Sequence, residues 1–148
     1  MVDISGFGLV ITLTASVTFP NGINITQLAD NIDPLGIGAL PIGDAASGLN
    51  GDKADWRTVE PIEVTLGVIP NGEDDINLEI LGEANRAGRG KSVANDVIQL
   101  IGNYPNGSTV TYTGGTITSF TPGDSVSSEG RLDSKAYIFK FENRTRTR

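Results

Sequence analysis

The sequence predicts a mainly β protein: a small antiparallel β-sandwich or barrel with one flanking α-helix and a long loop after the first strand. Three observations lead to this class. Threonine, valine and isoleucine recur in short runs, and these residues favour strands. Nineteen glycines among 148 residues separate the runs, as expected for many tight turns. Only one segment carries a strong helix signal. The length fits a single domain spanning residues 1–148.

Residues 7–19 show the clearest periodicity in the chain. A period of two over this length predicts one long strand with one face in a core. The predicted core face comprises Phe7, Leu9, Ile11, Leu13, Ala15, Val17 and Phe19. The opposite face includes Thr12, Thr14, Ser16 and Thr18. This second face has no charge, whereas solvent-facing strands usually carry some Lys or Glu. It therefore indicates contact with a partner or with a lumen.

A long loop is predicted over residues 23–55. Pro20-Asn21-Gly22 should end the first strand, because Asn-Gly readily takes positive φ and Pro cannot continue a central strand. No helical or strand period persists in the loop, although aliphatic residues are frequent. Loops of this length are uncommon in compact domains, so we expect this one to pack against another subunit. The aliphatic residues assigned to that contact are Ile32, Leu35, Ile37, Leu40, Ile42 and Leu49.

The next two elements are a strand and the helix. Alternation between Pro61 and Pro70 predicts the strand. The helix is predicted over residues 73–87, since three acidic residues open its first turn and Arg86 lies in its last turn, both favourable to the helix dipole. Gly88 is the expected C-terminal cap. The apolar stripe of the helix should consist of Ile76, Ile80, Leu81 and Ala84.

Three more strands complete the predicted order. They span residues 96–104, 108–120 and 135–143, with a polar loop at 121–134. The second should bend at Gly114-Gly115. The third should direct Tyr137, Phe139 and Phe141 into the core. Residues 144–148 read as a basic, fraying tail.

Composition narrows the function classes. The chain has no cysteine and no histidine, which removes disulfides, thiolate chemistry, the commonest general base and the commonest metal ligand. The net charge of −7 disfavours tight binding of nucleic acid, because phosphate contacts need Lys and Arg. No run approaches the ~18 apolar residues of a membrane span. These features predict a protein that is not an enzyme and has no membrane anchor.

Residues 85–92 and the single tryptophan could suggest ligand-binding sites, but neither is interpreted as one. Residues 85–92 are close to a phosphate loop, but Asn85 stands where glycine is required and the segment follows a helix instead of preceding one. We interpret its cations as contacts to acidic neighbouring subunits, together with those of the tail. The residues so assigned are Arg86, Arg89, Lys91, Arg144 and Arg146. The single tryptophan, Trp56, is interpreted as a core anchor rather than a sugar platform.

Several segments resemble the tail tube proteins of contractile-tailed bacteriophages, which are related to the inner tubes of tailocins and type VI secretion. They are DISGFG at 3–8, FPNG at 19–22, EDDINL at 73–78, EANRAGRG at 83–90 and YPNGS at 104–108. The likeness covers most of the chain and departs most at residues 34–50.

The resemblance implies a structural virion protein without catalytic residues or cofactors. Six copies would form a ring, and stacked rings would form a hollow tube that conducts the genome. The partners would be other copies, the contractile sheath, the baseplate and the tail terminator, with DNA passing transiently through the lumen. The location would be the phage tail, assembled in the cytoplasm of a bacterial host. The 23–55 loop would lie between rings, and Thr12, Thr14, Ser16 and Thr18 would face the lumen.

Two other functions remain open at this point. A small β-sandwich adhesin that recognises carbohydrate or a protein partner would require an exposed aromatic platform, but only nine aromatic residues are present. An enzyme that uses carboxylates alone would require paired acids in a cleft, for which the sequence offers only residues 73–75.

Overall fold

The computed structural model describes residues 4–148, which form ten strands and one helix. In chain order the elements are β1 (Val10–Ala15), β2 (Phe19–Ile25), β3 (Leu35–Ile37), β4 (Gly43–Ser47), β5 (Lys53–Arg57), β6 (Ile62–Val68), α1 (Glu73–Ala84), β7 (Ile98–Asn103), β8 (Thr109–Ser119), β9 (Lys135–Phe141) and β10 (Asn143–Thr147).

Eight strands form one antiparallel sheet in the order β2-β1-β7-β8-β9-β6-β3, with β10 also paired to β8. Strands β4 and β5 form a separate hairpin. The sheet does not close on itself, since β2 and β3 stand at its two ends. The fold is therefore sandwich-like and not a barrel, and the predicted class, mainly β with one helix, is confirmed.

Strand β8 belongs to both layers of the sandwich. Its first half pairs with β7 on one side and β10 on the other, and its second half pairs with β9. The two halves meet at Gly114-Gly115, where the register with β7 shifts and Gly114 takes a φ of 66°. A bulge of this kind bends a strand, in agreement with the bend predicted there. The first layer is β2-β1-β7-β8-β10 and the second is β8-β9-β6-β3.

The core lies between the two layers and the helix. Within β1 the predicted alternation is confirmed, since Ile11, Leu13 and Ala15 are fully buried. The same holds in β9 for its three aromatic residues at positions 137, 139 and 141. The Tyr112 ring of the first layer lies 5.4 Å from the Phe141 ring of the second, which joins the layers through aromatic contact.

The first strand is shorter than the 7–19 span predicted. β1 ends at Ala15, the chain turns at 16–18, and β2 then runs through Pro20-Asn21-Gly22 instead of ending there. The side chain of Phe7 is 92% exposed and that of Val17 is 63% exposed, so neither belongs to the core. The turn forms because one buried carboxylate, that of Asp96, accepts hydrogen bonds from the backbone N–H groups of Val17 and Thr18.

Residues 23–55 are not a structureless loop after the first strand. The span begins inside β2, contributes β3 to the edge of the second layer and then forms the β4–β5 hairpin. The alternating pattern is hidden in the hairpin, because both of its faces are exposed and neither needs apolar residues. We call residues 38–60, which contain this hairpin and its flanks, the arm.

The helix also differs from its prediction. It ends at Ala84, with Asn85 and not Gly88 as its C-cap. Leu78 and Leu81 are buried, whereas Ile76 and Ile80 are about half exposed, so the predicted stripe is rotated. The rotation follows from the acidic first turn, because Asp74 and Asp75 are themselves buried and fix which side of the helix faces the sheet.

The predicted C-terminal tail is strand β10. Residues Asn143–Thr147 pair antiparallel with β8, in the register that β9 follows farther along the same strand. β9 and β10 are thus two halves of one long strand, interrupted at Glu142. The cations of this segment are consequently held on a sheet instead of a fraying end.

Replacing Gly115 by alanine is expected to lower the free energy of unfolding by about 1–3 kcal/mol. A Cβ there would overlap the ring of Phe141 and lie 3.0 Å from the carbonyl oxygen of Ile98. Denaturant unfolding should reveal the loss. Gly123→Ala is the matched control, because a Cβ at that glycine meets no atom within 4 Å. Equal stability of the two variants would contradict the close packing of Phe141 and Ile98 against Gly115.

Candidate assembly surfaces

The solvent side of the first layer is a broad uncharged surface, which we call the hydroxyl face. Directly opposed residues in an antiparallel sheet point to the same side, so the strand register identifies its members. Its polar residues are Thr12, Thr14, Asn24, Gln99, Asn103, Thr109, Thr111, Thr113, Asn143, Thr145 and Thr147. The only apolar additions are Val10 and Ile101. Five strands thus present no charged side chain on this side.

The hydroxyl face ends where the sheet passes into its second layer. On β9 and β6 the solvent side carries Lys140 and Glu63, which oppose each other in the register. Absence of charge is therefore a property of the first layer and not of the whole sheet. Of the four residues predicted to line a lumen, Thr12 and Thr14 lie on this face, whereas Ser16 and Thr18 lie in the β1–β2 turn.

The first layer has a free edge at each end. β2 pairs only with β1 and β10 pairs only with β8 among the described residues. All five residues of β10 are exposed. Such edges offer unpaired backbone N–H and C=O groups, and proteins usually cover or protect them. These two strands are therefore candidate contacts between copies of the chain.

The arm is a second candidate contact surface. Apart from partly buried Gly43, every residue of its two strands is exposed. Leu49 at the tip is fully exposed and Ile42 at the base is 64% exposed. Two further residues of the predicted contact set, Ile37 and Leu40, are also exposed, although less so. Ile32 is 39% exposed and its side chain lies over Gly67, where a Cβ would meet it at 3.0 Å. In contrast, Leu35 packs against the core from β3.

A buried ion cluster fastens the start of α1 to β9. The Nζ of Lys135 lies 2.8 Å from a carboxylate oxygen of Asp124, 3.2 Å from Asp75 and 3.4 Å from Glu79. The Tyr137 hydroxyl donates to Asp75 at 2.7 Å. Burial disfavours the charged amine, but hydrogen bonds from Lys135 to Asp124 and Asp75 outweigh burial and raise the pKa of Lys135 to about 12. No sequence signal predicted this cluster, since its two parts, at residues 75–79 and 124–137, are far apart in the chain.

The Asp96 carboxylate joins the β1–β2 turn to the end of α1. Besides two backbone N–H groups it accepts from the Thr18 hydroxyl at 2.5 Å and from the Asn85 amide at 2.8 Å. Asn85 in turn accepts from the Asp96 N–H at 2.9 Å. Burial raises the pKa of Asp96, but the hydrogen bonds from Thr18 and Asn85 prevail and hold it below its ordinary value.

The predicted basic contacts separate into two groups. Arg86 is bound to Glu83 at 2.8 Å, and Lys91 donates to the carbonyl oxygens of Glu83 and Arg86, which caps the end of α1. This use of Lys91 agrees with setting aside a phosphate loop. Arg89, Arg144 and Arg146 have no side-chain hydrogen bond or ion pair within residues 4–148 and are the cations available to a partner.

The interpretation of Trp56 as a core anchor is wrong. The residue lies on β5 in the arm and is 48% exposed. Across the described part of the chain no group of three acidic side chains is arranged to hold a metal ion. None of its helices is long and apolar enough to cross a membrane.

Solved structures share this fold. A chain of the extracellular contractile injection system PVC, in the structure of its sheath/tube terminator in the extended state, has a TM-score of 0.57 at 12% identity, covering 100% of this chain and 99% of that chain. The anti-feeding prophage cap, a tube-terminating cap, gives 0.56 at 13% identity, with 99% and 92% covered. The PVC sheath–tube complex gives 0.59 at 12% identity, with 98% and 91% covered.

The sequence comparisons assign the family. No curated protein sequence matches the chain. The family described as "Tail fiber protein gp32" matches residues 2–145, nearly the whole sequence. The earlier resemblance to components of contractile tails is confirmed by this match and by the shared fold. The chain therefore belongs to the tail fiber protein gp32 family.

Proposed function

We propose that this protein is the building block of a contractile tail's inner tube, in which six copies form a ring and rings stack around a channel. The observation that carries the proposal is the hydroxyl face, which extends over five strands without a charge in a protein of net charge −7. Solved neighbours include tube-terminating and sheath–tube components, which is the context the proposal requires.

The hydroxyl face is suited to line a conduit for DNA. Phosphate groups bind through Lys and Arg, and this face has neither. A threonine and asparagine surface stays hydrated and offers no cation at which the genome would be retained. The net negative charge of the chain adds a weak repulsion that keeps DNA away from the wall.

The arm is suited to join successive rings. It projects exposed aliphatic side chains that contribute nothing to the core, and burial of such groups between copies is favourable by about 25 cal/mol per Å². Sheath, baseplate and terminator would then meet the outside and the ends of the tube. The proposed role is structural, and it agrees with the use of Asp74 and Asp75, whose bonds to Thr26 and Lys135 fasten the start of α1 to the sheet.

Electron microscopy of the purified protein over a range of concentrations tests the proposal. We expect rings with a central hole, and tubes at higher concentration. Replacing Ile42 and Leu49 together by aspartate should leave rings intact but prevent their stacking into tubes, because it places charges in an apolar contact. The matched control is Ile76→Asp with Ile80→Asp, which charges two half-exposed isoleucines on α1.

The outcomes separate the possibilities. Monomers at all concentrations would overturn the tube assignment. Tubes formed by the Ile42 and Leu49 variant would remove the arm from the stacking contact. The carbohydrate-binding alternative is favoured only by the exposure of Trp56, and glycan binding by a monomer that is lost in Trp56→Ala would support it.

A further inference from the structure

Resting on the proposed ring, we infer that adjacent copies join by parallel pairing of β10 with β2, with Arg146 and Arg148 of one copy facing Glu73 of the next. The contact would extend the first layer from copy to copy. Its elements are the two free edges of that layer.

The direction of the strands determines how the edges can meet. Each neighbouring pair in the first layer is antiparallel, so β2, β7 and β10 all run opposite to β1 and β8. Rotation about a ring axis preserves direction along that axis. Strand β10 of one copy and β2 of the next must therefore run in the same sense, and their C-terminal ends must lie together.

Those C-terminal ends have opposite charge. In β10, Arg144 and Arg146 oppose Tyr112 and Val110, which places both arginines on the core side of the layer and not on the hydroxyl face. Arg146 and Arg148 border one groove with Ser108. The three arginines thus form a positive row beside the free edge.

The start of α1, which lies beside β2, carries the complementary charge. The backbone N–H groups of Thr26 and Gln27, just after β2, donate to Asp74 at 2.8 Å, which fixes the start of α1 beside this edge. Glu73 then borders a groove with Ile23 and Asn24, at the C-terminal half of the free edge of β2. Glu73 has no ion pair within the described residues, so a cation from another copy would find it available.

The pairing also keeps the two faces of the layer consistent. Alternation puts Asn143, Thr145 and Thr147 on the hydroxyl face and the arginines opposite. If Thr147 lies beside Asn24 of the next copy, Arg146 lies beside Ile23 and the hydroxyl face continues unbroken. Pro20 lacks an N–H and lies at the other end of β2, so it does not interfere with pairing at the C-terminal half.

Charge reversal tests the ion pairs. Arg146→Glu with Arg148→Glu should raise the concentration needed for rings about tenfold or more, and so should Glu73→Arg. Combining all three changes should restore assembly, because every copy then supplies both reversed partners. Lys140→Glu and Glu129→Arg are the matched controls, because both charges are exposed and neither lies on β2 or β10. Thermal unfolding of each variant confirms that it is folded.

Engineered cysteines test the direction of pairing. The chain has no cysteine, so any disulfide must come from the introduced pair. Asn24→Cys with Thr147→Cys should give a ladder of cross-linked multimers on oxidation. Asn24→Cys with Asn143→Cys should not, since parallel pairing separates those positions by about four residues, or ~13 Å.

The results distinguish this inference from the proposed function. Rings that persist unchanged in the charge-reversed variants, without cross-links at Thr147, would keep the ring and reject the junction. Cross-links at Asn143 instead of Thr147 would indicate antiparallel pairing, which rotation about a ring axis does not allow, and would overturn the inference. Failure of the unmodified protein to form rings at all would reject the proposed function itself.

Discussion

Replacing Lys135 by alanine is expected to lower the free energy of unfolding by about 3–5 kcal/mol. The amine is buried to 97% and is the only cation among three carboxylates, so its removal leaves Asp75 buried without a compensating charge. The start of α1 should loosen as a result, because this cluster fastens it to β9. Urea unfolding monitored by circular dichroism measures the loss.

Lys140→Ala is the control for Lys135→Ala, since it removes a lysine from the same strand at an exposed position. It should change stability by less than about 0.5 kcal/mol. Tyr137→Phe should fall between the two, because it removes one buried hydrogen bond to Asp75 and leaves the ion pairs in place. Similar losses for the two lysine variants would show that the cluster contributes no stability.

Replacing Asp96 by alanine is expected to cost about 2–3 kcal/mol. The carboxylate accepts two backbone N–H groups, one hydroxyl and one amide, and these donors lose their partner together. The β1–β2 turn should open first, and hydrogen exchange at Val17 and Thr18 should accelerate more than exchange in β7. Asp52→Ala, at an exposed position in the arm, is the matched control.

Asp96→Asn should recover part of the loss, because an amide oxygen can still accept from the turn although the charge is gone. Unchanged exchange at Val17 in Asp96→Ala would show that the turn holds its shape without the carboxylate. In that case the hydrogen bonds of Asp96 would accompany the β1–β2 turn without causing it.

Periodicity predicted the parts of the fold that have a single buried face. The alternation in β1 identified Ile11 and Leu13 as core residues, and that in β9 identified Phe139 and Phe141. The bend at Gly114-Gly115 was also predictable, because adjacent glycines within a strand pattern indicate a bulge. These elements depend on local sequence, and local sequence is sufficient for them.

The remaining elements depend on contacts between distant residues. Alternation continues through Val17, but Asp96, 79 positions farther along, ends the strand by binding the turn. The apolar stripe of α1 was misplaced because Asp75 is drawn into the interior by Lys135. β10 has the composition of a tail and becomes a strand only because β8 offers an edge. For the hydroxyl face, the sequence predicted an uncharged surface on β1, of which Thr12 and Thr14 are part. The other four strands of that face are brought together by pairing between distant segments.

The shared strand β8 has a consequence for the order of folding. The hairpins β1–β2, β4–β5 and β7–β8 join neighbouring segments and can form quickly. In contrast, β1 must wait for β7 and β6 must wait for β9, and the paired residues are more than sixty positions apart in the chain. Non-local pairings of this kind typically take milliseconds to seconds. During that interval the uncharged first layer has an open edge at β8. When β10 pairs with β8, it covers that edge with a strand that carries Arg144 and Arg146. Charged side chains on an edge strand disfavour unintended strand pairing, so β10 should suppress misassembly of the folding chain.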